Sequence, residues 1–151
     1  MRLMNARFVI VRAALAAMVA LSVATLQAQM KQPAAGDLGT IKLSSPVMAD
    51  GQSLAAGTYS VRTSDAAVTP VTGQSPDGEV WVEFVQGGSV KGRELATVLT
   101  DAAAVKEVAK SAPPAPGTSR VEMLGGSPYV RVWINHGGKN YLIHLTAANA
   151  R

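Results

Sequence analysis

The chain contains no cysteine. Disulfide staples, thiol nucleophiles, cysteine-based zinc or iron–sulfur sites and the lipid-bearing cysteine of a bacterial lipoprotein are therefore all excluded, and stability must come from packing. Aromatic residues are scarce, with two Trp, two Phe and three Tyr, and there are only two histidines in 151 residues. No G-x-S-x-G elbow or other local catalytic signature is present, so no local motif brings a nucleophile together with its base and orienter. The uncharged N-terminal run from Ala13 to Leu26 has 14 residues, short of the ~18–20 needed to span a bilayer.

That run is nevertheless the most informative stretch. Arg2, Arg7 and Arg12 precede it and it ends in Leu26-Gln27-Ala28, the positive, apolar and small-residue order of a secretory signal rather than of an uncleaved anchor. Residues 1–28 are read as a signal peptide, with the mature chain starting near Gln29. Three of the 14 Lys and Arg leave with it and none of the 10 acidic residues do, so eleven bases face ten acids and the mature net charge is +1. The high isoelectric point belongs largely to the signal, and no basic footprint for nucleic acid remains. The mature chain, with no membrane span, is the size of one domain with one core. Export without cysteine fits a bacterial periplasm or extracellular space.

Residues 29–37 lack apolar periodicity and read as a flexible lead-in, followed by a single domain over 38–148. From Leu38 onward the period is two. Thr40 to Ser44 alternates, Asp50-Gly51 supplies a turn, and Gly57 to Thr63 reads as the next strand. Residues 64–78 read as a long loop, with Val68 to Val71 as a short strand interrupted by Pro70. Glu79 to Val85 is strongly β and pairs with Val90 to Leu99 through Gln86-Gly87-Gly88-Ser89, with Gly92 and Arg93 hinting at a bulge. Asp101 caps the one helical passage, where Val105, Val108 and Ala109 share a face. After a proline-bearing connection come Arg120 to Leu124, Tyr129 to Ile134 and Tyr141 to Leu145. About seven short strands with one short helix insert predict an all-β fold, an antiparallel β-sandwich. Its core is expected to hold Leu43, Tyr59, Val61, Val82, Phe84, Val130, Val132 and Ile134.

The segment Gly51-Gln52-Ser53-Leu54-Ala55-Ala56-Gly57-Thr58-Tyr59-Ser60-Val61 resembles the G-x-x-L-(P/A)-A-G-x-Y-x-V hairpin of small exported bacterial β-sandwich proteins of unknown function. Ala55 stands where proline is common. More loosely it is similar to transthyretin-like and carboxypeptidase-regulatory-like modules. The resemblance implies architecture and carries no catalytic residue: Leu54 caps the core, Gly57 permits a tight turn and Tyr59 buries its ring at a strand start.

His136 is placed in a six-residue turn, Asn135 to Asn140, opposite no part of the strand carrying His144. A metal pair is therefore not expected, and His144 faces solvent on the phase of Leu142. Asp77 and Glu79, or Glu83 and Glu94, read as solvated strand-face acids. Gly87-Gly88, Gly125-Gly126 and Gly137-Gly138 are turn formers, not phosphate cradles. The aromatic residues carry the functional expectation. Tyr129, Arg131 and Trp133 alternate away from Val130, Val132 and Ile134, and Trp81 lies opposite Val80, Val82 and Phe84. Together they suit a protein, peptide or glycan surface, or else fill the second side of the sheet. The resulting expectation is an exported, non-catalytic binding or envelope-associated structural module with no cofactor. The rivals are a small exported hydrolase built from dispersed acids and His144, and a self-assembling surface component.

Overall fold

The period-two pattern becomes nine strands in the computed structural model, which describes residues 36–69 and 78–149. They are β1 Asp37–Leu43, β2 Val47–Ala49, β3 Gln52–Leu54, β4 Gly57–Thr63, β5 Glu79–Gln86, β6 Ser89–Leu99, β7 Ser119–Met123, β8 Tyr129–His136 and β9 Lys139–Ala147, with one helix, α1, at Ala102–Ala109. The expected signal segment, most of the lead-in, and Pro70, Val71 and Asp77 lie outside the described residues. Asp37, expected in the lead-in, instead opens β1. Its Oδ1 accepts from the Gly39 N–H at 3.0 Å, and a bulge between the two keeps the pairing with β4 in register.

The strands form one continuous antiparallel sheet in the order β1-β4-β5-β6-β9-β8-β7. The sheet rolls over on itself, sandwich-like and nearly closed, until β1 approaches β7 and β8. Six antiparallel pairings link these seven strands, and an even number of reversals leaves the first and last running parallel where they meet. No backbone ladder joins that seam; one side-chain bond does, from Ser119 Oγ to Thr40 O at 3.0 Å.

Three two-residue turns set the hairpin registers. Asp50-Gly51 (φ 42° and 77°), Gly87-Gly88 (59° and 79°) and Gly137-Gly138 (60° and 76°) all place two consecutive residues in left-handed backbone, the signature of the type I′ turn whose twist matches its strands. The last of these corrects the six-residue turn: β8 and β9 continue to His136 and Lys139, which face each other in register. His136 is thus a strand end, because glycine at both central positions removes the need for a longer loop.

The Asp50-Gly51 turn also accounts for two strands beyond the expected seven. β2 and β3 are three residues each and plug the gap where β9 leaves β6: β9 pairs with β6 through Ile143 and with β2 at Thr146 and Ala147. Gly92 makes this approach possible, since a Cβ there would stand 3.0 Å from Leu54 Cδ2. The bulge in β6 sits one residue before the expected pair. Phe84 faces Gly92 and Val85 faces Val90, which leaves Lys91 unpaired. All eight expected core residues lie in one buried cluster, within which Tyr59 and Phe84 meet edge-to-face at 6.5 Å.

Candidate functional site

The four expected contact residues do not form one exposed surface. Trp133 is fully buried on the outer side of the sheet, where it clusters with Leu142, Val105 and Ala109, and Leu99 packs against them. The reason lies in α1. Asp101 Oδ1 accepts from the Ala103 N–H at 3.1 Å, so the helix starts directly after β6 and folds back over the outer face. It ends at Lys110 in left-handed backbone. Its i, i+4 stripe, Val105 and Ala109, lands on Trp133 and Leu142. Val108, expected on that face, is 52% exposed, because three residues after Val105 the stripe has rotated toward solvent.

Arginines fasten this strap. Arg131, a buried cation, donates from Nε to Glu122 Oε1 at 2.8 Å and from Nη1 to Ala109 O at 3.3 Å. It thereby pairs its charge and satisfies a carbonyl at the negative end of the helix. Arg120 Nη2 donates to Ala112 O at 3.0 Å, and its buried Nε stands 3.3 Å from Glu122 Oε2 without hydrogen-bond geometry. Both guanidiniums stack on the indole, at 5.0 and 5.3 Å from its centroid. Trp133 Nε1 donates to Asn140 Oδ1 at 2.8 Å, and Asn135 Nδ2 to Pro114 O at 2.9 Å.

Trp81 lies apart, on β5, with two strands, β6 and β9, between it and the strand of Trp133. It is half-buried, donates from Nε1 to Ala67 O at 3.3 Å, and has the Arg93 guanidinium 4.5 Å over its ring. Arg93 pairs with Asp50, and Arg62 with Glu83 at 2.8 Å. Glu94 Oε2 accepts from the Asp50 N–H at 2.7 Å. These acids are therefore partnered rather than merely solvated, although exposed pairs of this kind contribute only ~0–1 kcal/mol each.

Tyr129 stays open, 44% exposed. In register it neighbours Thr146, which neighbours Met48 on β2. The next row inward is Glu122, Arg131 and His144. The outer face of β8, β9 and β2 thus has two halves, one roofed by α1 and one presenting Tyr129, Thr146, Met48 and His144. Sequence reading missed Met48 and Thr146 here. Their adjacency depends on the non-local pairing of β2 with β9, for which no local signal exists. His144 stands beside Arg131, with Glu122 on the far side and engaged by both arginines. His136 is at the opposite end of β8, so the two histidines are not brought together. Among the described residues no three His, Asp or Glu side chains gather in a way that holds a metal ion, and no helix is long and apolar enough to cross a membrane.

Partial burial of the His144 ring, and then the Arg131 charge beside it, lower its pKa from the ordinary 6.5. The unfolded chain therefore binds this proton more readily than the folded one. His144 costs no stability above about pH 6.5, and destabilises the fold increasingly as pH falls through its lowered value. Urea midpoints measured from pH 7.5 down to 5 are expected to fall less steeply in His144→Gln than in the native protein. Identical pH profiles would contradict this assignment.

No protein-family model matches the chain, and neither does any curated protein or solved structure.

Proposed function

We propose that this protein is an exported, non-catalytic binding module of the bacterial envelope, acting in the periplasm or outside the cell, and that its contact surface is the open half of the β8–β9–β2 outer face. The observation that carries the reading is the 44% exposure of Tyr129 on a strand whose next two outward residues, Arg131 and Trp133, are roofed over. Tyrosine joins an apolar ring to a polar tip at low entropic cost, which suits a contact residue. Thr146, Met48 and His144 surround it with one adaptable apolar group and a polar rim. Export is supported by Arg2, Arg7 and Arg12 ahead of the uncharged run to Leu26.

Tyr129→Ala tests this directly. Binding to isolated envelope fractions and purified peptidoglycan is expected to weaken by about 30-fold, roughly 2 kcal/mol for a contact hot spot. The thermal midpoint should hold within a few degrees, as for an exposed site. Unchanged binding, or no binding by the native protein to either material, would remove Tyr129 from the proposed role.

A further inference from the structure

The seam between β1 and β7 is bridged at one end by Ser119 and Thr40 and opens at the other into a pocket of about 50 Å³, lined by Leu43, Ser44, Ser45, Val47, Val121, Met123 and Val130. This is several times the ~10–15 Å³ that admits one water. None of the seven lining residues carries a charge. The charged residues of β7, Arg120 and Glu122, alternate onto the outer face, where they pair with each other and with Arg131.

The backbone of β7 is directed the same way. Leu124 N–H donates to Tyr129 O, and Asn135 N–H to Thr118 O. By the two-residue alternation of an antiparallel ladder, Arg120 and Glu122 bond to β8 while the N–H and C=O groups of Ser119, Val121 and Met123 face the seam. Among the described residues β7 has no laddered neighbour on that side. Ser119 is closed off by β1, but Val121 and Met123 border the pocket, and Met123 is 62% exposed.

We infer that the open end of this seam accepts an extended, uncharged segment of a partner polypeptide, which pairs with the backbone of Val121 and Met123 and sets one small aliphatic side chain in the pocket. Backbone groups at strand spacing select an extended peptide, and the uncharged lining selects its residues: a lysine or aspartate placed in the pocket would lose its hydration with no counter-charge to meet it. The inference rests on the reading of the protein as a binding module and adds a second contact, distinct from Tyr129.

The test is amide hydrogen exchange of the full chain with a blocked hexapeptide of alternating threonine and valine. In the free protein the Val121 and Met123 amides should exchange faster than that of Glu122. With peptide at roughly 10 mM and a Kd of about 1 mM, their exchange should slow about tenfold. The same peptide with lysine at its central valine should have no effect. Met123→Pro removes only a seam-facing donor from an edge strand, so it should abolish the slowing with little change in thermal midpoint; Met123→Leu should preserve it.

The inference is overturned if Val121 and Met123 are already as protected as Glu122 or no peptide slows them, or if the lysine peptide acts equally. Slowing that survives Met123→Pro also overturns it, as does protection that rises with protein concentration alone, which would assign the edge to a second copy. Tyr129→Ala should leave the peptide effect intact. Loss of envelope binding with retention of that effect separates the two contacts, and retention of envelope binding without any peptide effect removes the seam alone.

Discussion

Trp133→Ala is expected to cost about 3–5 kcal/mol and to lower the thermal midpoint on the order of 10–25 °C, a large part of the stability of a domain this size. The ring is fully buried between sheet and helix, so the substitution empties a site that only α1 can fill by collapsing onto it. Three further losses accompany the cavity. Asn140 loses the donor it accepts from, and the Arg120 and Arg131 guanidiniums lose the surface on which they stack. The damage should therefore be concentrated in the strap: amide exchange of Val105 and Ala109 should rise further than that of Val61 or Phe84. Trp133→Phe keeps most of the packing and should recover well over half of the loss. A midpoint unchanged by Trp133→Ala would mean that the ring is not buried and would return it to the exposed surface.

This second apolar layer shows where the sequence is legible and where it is not. The inner face was readable because its signal is local: Val82 and Phe84, or Val130, Val132 and Ile134, alternate within single strands. Each hairpin partner follows within a few residues of its turn. The outer layer was half readable. Leu99, Trp133 and Leu142 stand on outward phases of three strands, and Val105 with Ala109 forms an i, i+4 stripe on the only described helix, so the two need each other. What strand alternation does not state is which part of the sheet an eight-residue helix lands on; that depends on β6 and β8 lying on either side of β9, a non-local pairing. The same limit separated Tyr129 from Trp133. Residues on one phase of one strand differ in exposure because the roof covers half of that strand. Arg131 shares the phase of Tyr129 and Trp133, expected as one contact surface, and is instead the fastener of the roof; its partners Glu122 and Ala109 lie nine and 22 residues away, beyond what strand alternation states.

Phe84→Ala is expected to be comparably severe, about 3–5 kcal/mol by loss of transfer energy and creation of a cavity. Phe84 is fully buried and its ring meets Tyr59 edge-to-face, an aromatic pair that contributes ~0.5–1.5 kcal/mol beyond the area it buries. Its cross-strand neighbour on β6 is Gly92, which has no side chain with which to close the cavity. The residue at hand is Leu54, whose Cδ2 lies 3.0 Å from where a Gly92 Cβ would stand, and it belongs to the β2–β3 hairpin that plugs the gap between β6 and β9. Relaxation into the cavity should therefore draw on that hairpin and loosen its pairing with β9 at Met48 and Thr146. The proposed Tyr129 surface includes both residues, so a core substitution should reach it through packing alone. Urea denaturation should show the lost stability at an unchanged slope, Phe84→Leu should retain roughly half of it, and a Tyr59→Leu, Phe84→Leu double-mutant cycle should return a coupling of about 1 kcal/mol. A Phe84→Ala protein with the native urea midpoint would show that this ring does not hold the two sides of the sheet together.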